Sequence, residues 1–198
     1  PSLYAKHHKK MRFTFGLSQY SLRALLKDGS LDALDFPKFT VDQFGIQAID
    51  LWEGGLPKDK LDDPKYLAMM RKKADQAGTD LFLLMSGALD ASEKKRAASS
   101  QKISASFDRA VQLGAPMVRI FLKAPGNDPQ TGLQASVEAL KPLADEAARK
   151  NLTIAIEPGA SSLSQKGAFL AEVATKLKHP ALKLMPDFGK LKDNVYKG

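Results

Sequence analysis

Residues 151–157 read Asn151-Leu152-Thr153-Ile154-Ala155-Ile156-Glu157. Asparagine tolerates the left-handed backbone that closes a helix, and a β-type run follows at once. Leu152, Ile154 and Ile156 are bulky, whereas Thr153 and Ala155 are small. Successive strand residues face opposite sides. The bulky set therefore suits a wall packed against helices, and the small set suits the inside of a barrel. The run ends on Glu157, and a carboxylate placed there must be solvated, paired or bound to a cation.

Working outward, the same unit recurs. Gly45 precedes a β-type run over 46–52, Gly78 one over 80–85, Gly114 one over 117–122, and Pro180 one over 182–185. Residues 12–17 make a first strand, giving six. Helix starts carry matching signals. Asp63-Pro64 and Asp128-Pro129 each set a capping carboxylate before a first-turn proline, and Asp90 with Glu93 resembles a capping box. Six strands alternating with helices predict an α/β fold with a parallel sheet. Two architectures fit. One is a (β/α)8 TIM-barrel type with six of its eight units present, since units of roughly 34 residues leave no room for more. The alternative is an open doubly wound parallel sheet. Leu17-Ser18-Gln19-Tyr20, after the first strand, is not a glycine-rich phosphate loop, which counts against nucleotide binding.

The chain of 198 residues is read as an N-terminal extension, 1–11, and one domain, 12–198. With 43% apolar and 26% charged residues it is not a disordered chain. No run approaches the ~20 apolar residues of a membrane span. Without cysteine, disulfides and thiolate–metal sites are excluded. The net charge of +8 is spread rather than clustered: Lys6, Lys9, Lys10 and Arg12 lie in the first residues and the rest is scattered over helices. This does not predict a nucleic-acid partner. Residues 1–10 hold no apolar signal core. They are what a removed leader leaves behind, upstream sequence read through to a start at Met11, or the cut end of a longer chain. A cytoplasmic location is expected, with export after loss of a signal preceding Pro1 as the alternative.

Parallel α/β folds place their chemistry at strand C-terminal ends. Those positions carry Ser18 and Gln19; Asp50 and, just past it, Glu53; Met85-Ser86-Gly87, with little chemistry; Arg119 within strand four and Lys123 at its end; Glu157; and Asp187. On neighbouring strands Glu157 and Asp187 would meet, and two adjacent carboxylates share a proton or bind a cation. The structural alternative pairs each with a lysine such as Lys123 or Lys190. Asp50 and Glu53 are either substrate ligands or ordinary surface acids. Lys123 is a binder of anionic substrate groups, a solvated lysine or an imine former. Trp52 and Tyr20 form the wall of a sugar site or pack in the core. The three histidines, His7, His8 and His179, stand away from strand ends, and His179 suits a helix C-terminus. No Ser-His-Asp set or HExxH motif is present. The Asn151-Leu152-Thr153 sequon straddles a helix stop and a strand and is read as incidental.

Leu17-Ser18-Gln19-Tyr20-Ser21-Leu22, Leu34-Asp35-Phe36-Pro37-Lys38, Phe44-Gly45-Ile46 and Pro186-Asp187-Phe188-Gly189 resemble, in this order, the sugar phosphate isomerase/epimerase family. This is the xylose-isomerase-like TIM-barrel group, in the superfamily that includes endonuclease IV. The resemblance covers about Arg12 to Gly198. It implies a divalent-metal enzyme of carbohydrate metabolism (Mn, Mg, Co or Zn) that isomerises or epimerises a small sugar or sugar derivative through a metal-stabilised enediolate. It implies Glu157 and Asp187 as metal ligands and Glu157 as the catalytic carboxylate. Lys123, Arg119, Asp50, Glu53 and Trp52 are then the substrate-binding candidates. It also implies a His and a Glu from strands seven and eight, so the chain is expected to be a fragment of a longer protein. A homo-oligomer is left open. Three departures stand out. Glu157 is followed by Pro158-Gly159 where relatives tend to carry Asn-His, Lys190 replaces the Asn that tends to follow Asp-Phe-Gly, and Asp50 stands for a glutamate. Pro158-Gly159 and Lys190 favour the alternative of a non-catalytic or decayed member that binds carbohydrate or a partner through the same cleft.

Overall fold

The computed structural model describes residues 14–191. Asn151 and Gly114 close their helices at φ 57° and 71°, the left-handed conformation the sequence asks for. Asp63 accepts hydrogen bonds from the Lys65 and Tyr66 amides, and Asp128 from the Thr131 amide, each capping a helix that opens on proline. The resulting order is β1 (Gly16–Ser18), α1 (Arg23–Asp28), α2 (Phe36–Phe44), β2 (Ala48–Trp52), α3 (Pro64–Ala77), β3 (Asp80–Asp90) and α4 (Glu93–Leu113). Then come β4 (Met117–Lys123), α5 (Pro129–Arg149), β5 (Thr153–Glu157), α6 (Gly167–Leu177) and β6 (Leu182–Leu184).

All neighbouring strands are parallel, in the spatial order β1-β2-β3-β4-β5-β6. A doubly wound sheet reverses its strand order at a switch point, and this sheet has no reversal. Successive helices from α2 to α6 also touch one another, forming a continuous layer. The architecture is therefore of the TIM-barrel type, with six units. Among the described residues the sheet is not closed, and β1 and β6 are its edges. No described helix is long and apolar enough to cross a membrane.

The two faces differ as the alternation predicts. Ile49, Leu51, Leu84, Val118, Ile120, Ile154 and Ile156 are fully buried beneath the helices, against Leu67, Met70, Phe107 and Leu140. Each such side chain contributes about 1.5–3 kcal/mol on burial. A one-residue slip would turn them all to the other face, so the register is firmly set. On the inner face a smaller cluster joins Leu83, Met85 and Ala155 with Trp52, Phe82, Met117 and Met185.

Four expectations need correction. The first strand is Gly16–Ser18 and not 12–17; residues 12 and 13, like the extension 1–11, lie outside the described residues. The third strand does not stop at Met85 but runs to Asp90, because a register shift between Met85 and Ala88 absorbs Ser86 and Gly87. Asp90 is consequently the end of β3 and not a helix cap. Ser92 holds the N-cap position, and Asp90 accepts from its amide and hydroxyl. The helix before β6 closes on Lys178 at φ 46°, ahead of Pro180.

Candidate active site

Period-two alternation sends Asp50, Arg119 and Glu157 to the inner face; Glu157 ends β5, whereas Asp50 lies in the middle of β2 and Arg119 in the first half of β4. They are 6%, 4% and 4% exposed. Charges this deep persist only with partners. Arg119 Nε lies 2.8 Å from Glu157 Oε2, although its N–H does not point along that line, so the contact is ionic rather than a linear hydrogen bond. Its Nη1 donates to the Ser86 carbonyl at 2.8 Å. The bulge in β3 thus gives the guanidinium an acceptor. Burial lowers the Arg119 pKa, and the Glu157, Asp50 and Glu53 charges oppose that shift.

The other Glu157 oxygen receives the Lys190 ammonium. Lys190 Nζ also stands 3.4 Å from Asp187 Oδ2 and 4.6 Å from the centre of the Phe121 ring. Arg119 lies over the same ring at 4.3 Å. Phe121 is opposite Glu157 in the β4–β5 register, which explains how one ring serves both cations. Glu157 and Asp187, predicted as a pair, are thus brought together through Lys190, the lysine alternative of the sequence.

Among the described residues Asp50 has no ion pair of its own. Its Oδ1 accepts from Ser18 Oγ at 3.0 Å and from the Gln19 amide at 3.3 Å. Burial raises its carboxyl from 3.8 to about 6, partly offset by those hydrogen bonds and by the Arg119 charge. Gln19 Oε1 accepts from the Trp52 amide, locking the end of β1 to the end of β2. The Trp52 ring meets Tyr20 edge-on at 5.0 Å.

Two other candidates turn elsewhere. Glu53 begins a 3-10 turn and pairs with Arg109 of α4 at 2.7 Å. Lys123 lies opposite Asp90 in the β3–β4 register and pairs with it at 3.2 Å, so it is neither free nor beside Glu157. His179 accepts from the Ala181 amide and approaches Asp145 of α5, away from the site; His7 and His8 lie outside the described residues. Lys190 and Phe121 are the site residues that strand-end reading underrated. The signal for Phe121 was its place two residues after Arg119, on the same face.

A family model described as "xylose isomerase-like TIM barrel" matches residues 40–194. The chain belongs to this family. A search of curated proteins finds no sequence match. Solved structures share the fold at low identity. One is described as the probable 3-DHS dehydratase AsbF of Bacillus anthracis, at 18% identity and a TM-score of 0.73, with 90% of this chain and 64% of that one covered. D-psicose 3-epimerase of Clostridium cellulolyticum, solved with D-tagatose, gives 12% and 0.68, with 92% and 67% covered. The 3-keto-D-glucoside 4-epimerase YcjR of E. coli gives 12% and 0.67, with 84% and 68% covered. This chain therefore spans about two thirds of the length of these structures.

Among the described residues the donor set does not fit the divalent ion that the resemblance implies. Both oxygens of Glu157 face cations, and Asp187 faces one of the same two. Among the described residues no group of three or more His, Asp or Glu side chains could hold a metal.

Proposed function

We propose that the protein is an isomerase or epimerase of a small sugar or sugar derivative, working by proton transfer beside a carbonyl. One observation carries this reading: two carboxylates, Asp50 and Glu157, and two cations, Arg119 and Lys190, share the inner mouth of the strands. The family and the epimerases among its structural neighbours support it. A carboxylate takes the proton from the carbon next to the carbonyl, and the electron pair passes to the carbonyl oxygen as an enediolate. That oxygen needs a positive partner, and Arg119 and Lys190 are the partners proposed. The proton then returns to the former carbonyl carbon while the hydroxyl proton of the carbon that lost it passes to the former carbonyl oxygen, giving an isomer, or it returns to the opposite face of the carbon that lost it, giving an epimer. Asp50, at about 6, exchanges protons readily near neutral pH. Glu157, oriented by its cations, is the second acid–base group. Trp52 with Tyr20 offers an apolar wall for the carbon face of a sugar ring.

The test is solvent exchange. The full protein is incubated with a panel of ketoses and aldoses in heavy water, and deuterium at the carbon beside the carbonyl is followed by NMR. Incorporation that falls at least 100-fold in Asp50→Asn or Glu157→Gln supports the reading. Sugar binding without exchange would instead establish a purely binding role. The engagement of both Glu157 oxygens by cations favours that second reading.

A further inference from the structure

Two departures from the family pattern, Pro158-Gly159 and Lys190, lie far apart in sequence and together in space. Gly159 has a φ of 135°, which L side chains rarely adopt. A Cβ placed there would stand 3.2 Å from Lys190 Cδ and 3.9 Å from its Cγ. The missing side chain of one residue is the bed on which the stem of the other lies. Phe121 faces the same spot, 3.8 Å from that Cβ position. The stem is thereby aimed so that its ammonium reaches Glu157 and Asp187 at once.

We propose that Lys190 is a built-in cation which replaces a divalent ion at this site, so that the protein binds its ligand without metal. This rests on the isomerase reading only for the identity of that ligand. The charge count supports it. Glu157 and Asp187 bring two negative charges, and Arg119 and Lys190 bring two positive ones, so these four side chains balance one another, with the Asp50 carboxyl standing beyond them. A divalent ion would have to evict an ammonium held by two carboxylates and an aromatic face. An ammonium has three donors and no acceptor. One is engaged by Glu157, Asp187 stands at ion-pair distance, and a further donor is available to a carbonyl or hydroxyl oxygen of a sugar-like ligand. Unlike a divalent ion, a lysine cannot chelate two ligand oxygens at short fixed distances. Arg119, with its planar fork on the same ring, is the group that supplies the second donor direction.

The experiment measures metal rather than turnover, so its outcome is independent of whether any sugar is converted. The full protein, wild type and Lys190→Asn, is titrated with Mn2+, and free ion is read by electron paramagnetic resonance. Folding is monitored by circular dichroism. Lys190→Met, which keeps the stem on Gly159 but removes the charge, is the second variant. The expected result is no saturable Mn2+ site below millimolar concentration in the wild type and no change in its thermal midpoint with EDTA. Lys190→Asn should bind Mn2+ at least ten-fold more tightly, and Lys190→Met should move in the same direction. Stoichiometric micromolar Mn2+ binding by the wild type overturns the proposal. Equal affinity in all three proteins overturns it as well, because Lys190 would then not be what keeps the ion out. Absence of sugar conversion alongside the expected metal result would count against the isomerase reading alone.

Discussion

Asp50 shows how one buried side chain makes stability depend on pH. Its carboxyl ionises at 3.8 in an ordinary setting and at about 6 in the fold. Folding therefore favours the neutral form. Below pH 4 both states are protonated and there is no penalty. As pH rises from about 4 to about 6 the unfolded chain releases this proton while the folded state retains it, and stability falls by roughly 3 kcal/mol, with no further loss above that window. Asp50→Asn should raise the urea midpoint at pH 8, with a gain that shrinks towards pH 4.5. An equal gain at both values would mean that the charge is not the cause. Arg119 makes the complementary case. Arg119→Met leaves Glu157 with Lys190 alone and the Ser86 carbonyl without its guanidinium donor, and should cost about 3 kcal/mol in chemical denaturation. The candidates Asp50, Arg119, Glu157 and Asp187 came from strand-end reading, although the fold sets Asp50 and Arg119 inside their strands. Their partners were legible only as alternatives, Lys123 or Lys190, because a strand end says which way a side chain points and not which distant lysine reaches it. Lys190 comes from beyond β6, and only the folded chain brings it to Glu157.

At the scale of elements, helix stops and starts were the most readable signals, since they depend on local backbone chemistry. Asp63, Asp128, Gly114 and Asn151 all act as the sequence implies. The end of β3 was not readable. Ser86-Gly87 looks like a loop, and it is held in the strand by a long-range partner, Arg119. Gly114 illustrates how one stop can serve two helices. Arg71 of α3 donates to the Leu113 and Gly114 carbonyls at 3.2 and 3.3 Å, closing the C-terminus of α4. A Cβ on residue 114 would lie 2.1 Å from Arg71 Nη1. Gly114→Ala should therefore displace the guanidinium as well as strain the backbone, for a loss of roughly 1–2 kcal/mol. In Arg71→Ala the same glycine change should cost less, and a double-mutant cycle of thermal midpoints measures the difference.

At the largest scale the described residues form a wall of six parallel strands with the helices on one side. Ile154 and Ile156 against Ala155 announced that arrangement, since a sheet covered on both faces would have no reason to alternate bulk. The number of units followed from the spacing of the stops. Among the described residues β1 and β6 each lack a second neighbour, and Leu184 and Phe15 are exposed at these margins. Unpaired strand edges recruit other strands. Expressed as these 198 residues alone, the protein should associate with increasing concentration, which light scattering after size exclusion would detect. A monodisperse monomer at all concentrations would show that the edges are covered. At the mouth of this wall, Gly159 and Lys190 tie the loop after β5 to the segment after β6. That tie has a historical consequence. A lysine arriving at position 190 beside a side chain at 159 must shift its stem by a few tenths of an ångström, whereas beside glycine it need not. The two replacements are thus unequal in order: a lineage that gained the glycine first takes the lysine without that shift, and once the lysine is seated, return at position 159 carries both the shift and the strain of φ 135°.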